Sequence, residues 1–337
     1  MTARAGAPSA APPGAPPDLP PDLPALLDRR LLFVTGKGGV GKSTVAAALG
    51  LLAAQRGKKA LACEVDAKGD LAALFETSPI EFGARAVFPG LWAMAMHTDA
   101  SLDEYLRLQL RVPAVSRIGL LARAFEFVAT AAPGVREILT VGKLAYEVRE
   151  KHYDLVVADA TASGQVVGQL TAPQAINSLV RVGAIRNQTD WVLDILGDAA
   201  TTGVVVVTTP EEMPVRETIE LLARINDETN VSVAGVVVNR VLPELFSRAD
   251  EELFERLRAP AQAAALSDAV GGPVAPVLEA ARLAVTLRRS GAAHLELLRG
   301  AVDPAVPLLY VPELFTRGYG LRTTRQIAEA LSAELGY

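Results

Sequence analysis

Two lysines lie five positions apart in one glycine-rich segment of the chain, TGKGGVGKST, which runs from Thr35 to Thr44. The second lysine, Lys42, completes the spacing G-x-x-x-x-G-K-[ST] with Gly36, Gly41 and Ser43. Glycines in such a loop let backbone N–H groups come close to phosphate oxygens, and the N-terminus of a following helix adds a favourable dipole. The pattern therefore predicts a loop that binds nucleotide phosphates; the alternative is an ordinary glycine-rich turn.

The residues of this loop have separate predicted roles. Lys42 is expected to neutralise the β- and γ-phosphates, and the Ser43 hydroxyl is expected to ligate Mg²⁺. Lys37 follows the first glycine, where its side chain need not fold back onto the nucleotide of its own chain. It is therefore a candidate for a role in assembly, and the alternative is a solvated loop lysine. The predicted nucleotide contacts in the loop are Gly36, Gly38, Gly39, Val40, Gly41, Lys42, Ser43 and Thr44.

A loop of this kind needs a strand before it and a helix after it, and the flanking sequence predicts both. The apolar run Leu31–Thr35 is typical of a buried parallel strand, and the Ala- and Leu-rich segment Ser43–Gln55 is typical of a helix. Helical patterns separate most of the apolar runs, which favours an α/β fold with a doubly wound, mostly parallel sheet. The predicted strands are Leu31–Thr35, Lys59–Asp66, Leu91–Met96, Asp154–Ala160, Gly203–Thr209, Val231–Val241 and Pro307–Val311.

Ligands of such sheets bind beyond the carboxyl ends of the strands, and polar residues follow several of the runs. Asp66 is placed to orient a water molecule toward a γ-phosphate, or else to cap a helix. Asp159 follows a run of apolar residues and is expected to hold Mg²⁺ through water, while Gly164 is expected to approach the γ-phosphate and sense its loss on hydrolysis. The amide of Asn239 can pair with an adenine edge, or the residue can simply form a turn.

Composition excludes several classes of function. The net charge of −5 and the pI near 5.4 do not predict a nucleic-acid footprint. Half of the residues are hydrophobic, which is enough for a substantial core, but no run of about 18 uncharged apolar residues predicts a membrane span. A single cysteine, Cys63, excludes an intramolecular disulfide and is expected to pack in the core. The expected location is the cytoplasm, including the membrane periphery through a partner.

The chain divides into a tail and one large domain. Residues 1–27 are rich in alanine and proline and are expected to be disordered, whereas residues 28–337 are expected to form a P-loop domain. Between residues 99 and 150 the strand pattern stops, and apolar helical segments at Tyr105–Leu110 and Ile118–Thr130 predict a helical insertion subdomain. Such a subdomain either buries its own apolar faces or forms a surface for a client or partner protein.

The deviant loop K-G-G-x-G-K-[ST] resembles that of the P-loop ATPases that include MinD, ParA, the nitrogenase iron protein and the ArsA-type ATPases. Further matches make the ArsA-type group, the arsenical pump-driving and tail-anchored-protein-targeting ATPases, the most similar. These matches cover most of residues 30–336 in family order. They are Asp66 with Leu71, Asp159-Ala160 with Ser163-Gly164, Pro133–Glu137, Thr208–Glu211 with Val215–Thr218, Asn239, and Pro312–Leu314.

The resemblance implies a dimeric ATPase that uses ATP and Mg²⁺. In that family the first loop lysine reaches the nucleotide of the partner, so Lys37 joins Lys42 and Asp66 as a predicted catalytic residue. Asn239 and Pro312 are then expected beside the adenine base, and Ser43 and Asp159 at the metal. The implied partner is a second copy or a related ATPase, and the insertion is the implied surface for a client.

Departures from the family pattern leave other functions open. The segment similar to the family's switch II is Asp159–Gln165, in which Ala162 replaces a proline and Gln165 a histidine. The segment similar to switch I is Asp66–Leu71, in which Ala67 stands where many members have proline. A slow nucleotide-gated protein–protein switch, with the chain as the less active subunit of a hetero-oligomer, is therefore one alternative. A positioning ATPase similar to MinD or ParA is another, although the C-terminal segment carries no basic amphipathic helix. The lone Cys63 offers neither a zinc clasp nor a site for trivalent arsenic.

Overall fold

Eight β-strands form one sheet, in the order β3-β4-β2-β5-β1-β6-β7-β8, in a computed structural model of the protein. The structure describes residues 25–97, 100–102, 104, 134–179, 184–316 and 318–337. The strands are β1 Leu31–Gly36, β2 Ala60–Glu64, β3 Arg85–Phe88, β4 Leu91–Ala95, β5 Leu155–Ala162, β6 Thr202–Thr208, β7 Val233–Val241 and β8 Leu308–Pro312.

All neighbouring strands run parallel except β3 and β4, which form an antiparallel pair at one edge. The predicted α/β class and mostly parallel sheet are thus confirmed, and each of the seven predicted runs contains a strand. The short edge strand β3 was not predicted, because its apolar run, Ala86–Phe88, is only three residues long and its residues are partly exposed. Strand β1 lies between β5 and β6, so the segment that follows β1 is at the middle of the carboxyl edge.

Helices cover both faces of the sheet. Alternate residues of β1 point to opposite sides: Leu32 and Val34 belong to one core cluster, and Leu31 and Phe33 belong to the other. The first cluster is closed by α1, α2 and α10, and the second by α3, α4, α5, α6 and α9. The helices are α1 Lys42–Gln55, α2 Asp70–Leu74, α3 Val135–Arg149, α4 Ser163–Leu179, α5 Ala184–Gly197, α6 Glu212–Glu228, α7 Arg248–Leu257, α8 Pro260–Val270, α9 Ala275–Ala301 and α10 Leu321–Glu334.

Two structural observations concern the predicted limits of the tail and the insertion. Leu26 and Leu27, which the sequence assigns to the tail, are buried in a short 3-10 helix, so packing begins before residue 28. The last part of the predicted insertion is helix α3, whose buried Val141 and Leu144 pack with the sheet cluster. Residues 1–24 of the tail and residues 105–133 of the insertion lie outside the described residues.

Cys63 lies within β2 and is completely buried, as expected of a core residue. Burial raises the pKa of its thiol far above the usual value. Among the described helices, none alone is long and apolar enough to cross a membrane, although α8 and α9, joined at a sharp bend, meet that test together.

Candidate functional site

The loop between β1 and α1 has a backbone that only glycine accommodates at two points. Gly36 has φ 148°, and a Cβ atom there would lie 2.1 Å from the Val207 carbonyl oxygen of β6. Gly41 has φ 96°, and a Cβ atom there would lie 2.4 Å from the Asn239 amide nitrogen. The two glycines therefore let the loop lie against β6 and β7, and substitution at either would displace it.

The loop ends in the first turn of α1, where backbone N–H groups have no partner within the helix. Gly38 and Gly39 are exposed, and a Cβ atom at either would meet nothing within 4 Å, so open space surrounds this part of the loop. The ammonium group of Lys42 lies 3.3 Å from the Lys37 carbonyl oxygen. Burial lowers the pKa of Lys42, although the charge of Asp159 opposes that effect. A charged, partly desolvated lysine beside free helix N–H groups is suited to bind phosphate.

Asp159 is buried directly beside this loop. Its Cα is in register with Val34 of β1 on one side and with Glu64 of β2 on the other. The residue is only 7% exposed, and its Oδ1 atom has no hydrogen-bond partner among the described residues. Burial raises the pKa of Asp159 to about 6, against the opposing effects of Ser43 and Lys42. An unpaired buried carboxylate oxygen fits the predicted role in holding Mg²⁺, since Mg²⁺ prefers oxygen ligands.

Two further carboxylates lie near Asp159, and the sequence did not predict either of them. The Ser43 hydroxyl donates to the carboxylate of Asp70 at 3.3 Å. Glu64 is 2% exposed and accepts a hydrogen bond from the Asp70 backbone N–H at 2.8 Å. Glu64 was missed because it falls within an apolar strand; a charged residue at the end of such a strand was the available signal.

Asp66 does not cap the following helix, which was the alternative prediction. Glu64 accepts from the first residue of α2, while the Asp66 carboxylate lies 3.1 Å from the Lys68 ammonium group. Ala67 between them has φ 47°. A proline, which many similar ATPases have here, is fixed near −65°, so this loop adopts a conformation that proline does not permit. Asp66 thus remains available at the carboxyl edge, and its role with water stays a prediction.

Lys37 forms an ion pair with Glu217 of α6 within the same chain. The Ser163 hydroxyl at the start of α4 lies 3.5 Å from the other carboxylate oxygen of Glu217. One glutamate therefore links the phosphate loop to the segment predicted as switch II. Glu217 is 180 residues from Lys37 along the chain, and such a distant pairing leaves no signal in the local sequence pattern.

Asn239 reaches the phosphate loop. Its amide nitrogen donates to the Val40 carbonyl oxygen at 2.9 Å, and its amide oxygen accepts from the Arg240 backbone N–H at 3.0 Å. Pro312 ends β8 and is paired in register with Val241, so it lies close to Asn239 on the neighbouring strand. The two residues predicted for the base thus lie on neighbouring strands near their carboxyl ends, and contact with adenine itself stays a prediction.

Gly164 lies in the first turn of α4, is exposed, and would place a Cβ atom in open space. Beside it is a cavity of about 570 Å³, whose lining includes Asp66, Gly164 and Gln165. Gly134 and Arg136, at the start of α3, also line it. The cavity therefore joins both predicted switch segments to the helix that follows the predicted insertion.

A phosphate loop at the middle of a mostly parallel sheet, with an acidic residue on the adjacent strand β5, is the arrangement of the P-loop class of α/β proteins. The model of the anion-transporting ATPase (ArsA) family matches residues 29–192 and 182–267. The chain therefore belongs to the anion-transporting ATPase family.

Relatives in bacteria, archaea and fungi share part of the sequence. ATPase BagA of Mycobacterium tuberculosis is 33% identical over 225 residues, which cover 64% of this chain and 66% of that protein. A putative arsenical pump-driving ATPase of Halobacterium salinarum is 25% identical over 69% of this chain and 38% of its own length. ATPase GET3 of Podospora anserina is 27% identical over 178 residues, which cover 50% of this chain and 52% of that protein. The match thus spans slightly less than two thirds of the mycobacterial protein.

Proposed function

We propose that this protein binds ATP with Mg²⁺ and hydrolyses it, and that it does so as a dimer. The observation that carries the proposal is that Lys42, Ser43, Asp66 and Asp159 all lie at the carboxyl edge of the sheet, where Lys42 interacts electrostatically with both aspartates. Family membership and the relatives named as ATPases support it.

Different residues have different roles in the proposed phosphoryl transfer. Loop N–H groups and Lys42 hold the phosphates, and Mg²⁺ when bound supplies positive charge that stabilises the transition state. Ser43 and Asp159 are the residues that would hold the ion. The Asp66 carboxylate, exposed by 29% and lining the cavity, orients the attacking water. Positioning and electrostatics, rather than covalent chemistry, then account for the rate.

A second subunit completes the site through its own Lys37. Each Lys37 leaves its in-chain pair with Glu217 and contacts the nucleotide held by the other subunit. Loss of the γ-phosphate then removes a contact of Gly164. The resulting movement of the switch II segment reaches α3 across the cavity, and through α3 it reaches the predicted client surface.

A slower function as a nucleotide-gated switch is favoured by one specific observation. The Lys37–Glu217–Ser163 contacts hold a predicted catalytic lysine and the start of switch II together within one chain. In that case hydrolysis depends on a related partner subunit that disrupts those contacts. Turnover by the isolated chain, compared with turnover after a candidate partner is added, separates the two functions.

The Asp66→Asn variant tests the proposed hydrolysis. It keeps the side-chain shape but removes the charge, so ATP binding should persist while hydrolysis falls by at least about 100-fold, the lower limit for loss of a general base. Turnover is measured by phosphate release, and binding by titration with a fluorescent ATP analogue. Asp268→Asn, in an exposed residue of α8, is the matched control. Normal turnover in Asp66→Asn would exclude this assignment.

A further inference from the structure

Three carboxylates meet beside the phosphate loop, and the proposed hydrolysis uses only one of them. Glu64, Asp70 and Asp159 each offer one oxygen atom, and these atoms all lie within 4.8 Å of one another. Carboxylates that share so small a space repel each other unless protons or a cation neutralise them. The nearby lysines make their hydrogen bonds elsewhere, Lys68 to Asp66 and Lys42 to the Lys37 carbonyl, so Lys42 acts on Asp159 only through its charge.

A second observation points to a ligand at this place. The Oδ1 atom of Asp159 is buried and has no hydrogen-bond partner among the described residues, although the side chain faces the other two carboxylates. Leaving a buried polar atom unpaired costs free energy that a bound cation would recover. Oxygen donors of this kind suit Mg²⁺, Mn²⁺ and Ca²⁺ rather than softer metals.

The three carboxylates differ in what holds them. Glu64 is buried and fixed at the end of β2, where it accepts the Asp70 backbone N–H at 2.8 Å. This bond anchors the start of α2 and places the Asp70 carboxylate 3.3 Å from the Ser43 hydroxyl. Asp70 is also exposed, so a hydrated ion can reach it from solvent. Glu64 thus acts through Asp70, while Asp70 and Asp159 can contact an ion directly.

We propose that the protein binds one divalent cation in the absence of nucleotide, through Asp70 and Asp159, with Glu64 as a positioning residue. One consequence rests on the proposed function: the ion is already beside Ser43 when the phosphates of ATP bind. The nucleotide would then bind to a site that already contains the ion, instead of binding as a complex with Mg²⁺.

Mn²⁺ binding to the nucleotide-free protein tests the proposal. Electron paramagnetic resonance of free Mn²⁺ should show one ion bound per chain, and excess Mg²⁺ should displace it. Asp70→Asn should weaken the Mn²⁺ affinity at least tenfold, and Glu64→Gln should weaken it by a similar factor, as is typical for residues that orient metal ligands. Asp268→Asn should bind Mn²⁺ as the unaltered protein does, and thermal unfolding of each variant checks the fold.

Two results would overturn the proposal. One is no Mn²⁺ binding without nucleotide at millimolar concentrations; the other is equal affinity in Asp70→Asn and Asp268→Asn. Either failure is distinguishable from failure of the proposed ATPase. A protein that binds and hydrolyses ATP with Mg²⁺, but binds no ion alone, keeps the function and loses this inference. A protein that binds Mn²⁺ but no ATP does the opposite.

Discussion

Gly164 is a residue whose predicted role can be separated from its structural one. A Cβ atom there meets nothing within 4 Å, and the residue has no left-handed backbone conformation to preserve. Alanine should therefore leave the metal-free, nucleotide-free fold intact, and its helix propensity is better than that of glycine by about 1 kcal/mol. Any effect of the substitution must then come from bound nucleotide.

We expect Gly164→Ala to lower ATP hydrolysis at least tenfold while ADP binding stays unchanged, because small displacements of reacting groups cost up to about 100-fold in rate. Phosphate release and ADP titration measure the two quantities. Gly168→Ala, one turn further along α4 and equally free of neighbours, is the control. Equal hydrolysis in both variants would show that Gly164 does not approach the γ-phosphate.

At the scale of elements, helix α6 holds the phosphate loop through Glu217. The carboxylate contacts Lys37 of the loop and Ser163 of α4, so three separate segments meet at one side chain. Both members of the ion pair are about one-third exposed. Such a pair contributes up to about 1 kcal/mol, which is small enough for a competing partner to replace.

Glu217→Gln should therefore strengthen ATP-dependent pairing of two chains, by up to about 30-fold, because both chains lose the competing ion pair and about 1.4 kcal/mol corresponds to a factor of ten. Sedimentation velocity with ATP and Mg²⁺, in an Asp66→Asn background that prevents hydrolysis, measures the association. Glu220→Gln, in an exposed glutamate on the same helix, is the control. Weaker pairing in Glu217→Gln would mean that Glu217 orients Lys37 for the partner instead of retaining it.

For the whole molecule, Lys37 distinguishes a dimeric ATPase from a single-chain one. Lys37→Ala removes no buried group and should leave folding and the single-chain affinity for ATP unchanged. It should weaken ATP-dependent association at least tenfold, as truncation of a charge at an interface does, and lower turnover with it. Sedimentation velocity and phosphate release measure these. Wild-type association in Lys37→Ala would remove Lys37 from the interface.

The sequence was sufficient to predict the central sheet because buried parallel strands are continuous apolar runs, as β1, β5 and β6 show. It also predicted the loop, since the glycines at 36 and 41 are needed for close backbone approach. Glu64 and Glu217 were not predicted: one is a single charge within an apolar strand, and the other depends on a contact between distant segments. The antiparallel strand β3 was missed because three apolar residues at a partly exposed edge are too short a run to predict a strand.

The amide of Asn239 would couple the two ends of a bound nucleotide. Its nitrogen donates one hydrogen to the carbonyl of Val40 in the phosphate loop, and its oxygen accepts from the backbone of Arg240. An amide nitrogen carries two hydrogens and an amide oxygen two lone pairs, so an adenine edge would find one donor and one acceptor position still open while Val40 stays bonded. A single side chain would then connect the base to the loop that holds the phosphates. Because the two contacts would share this side chain, their free energies would not add, and a nucleotide that made both would order the loop more than a polyphosphate without a base.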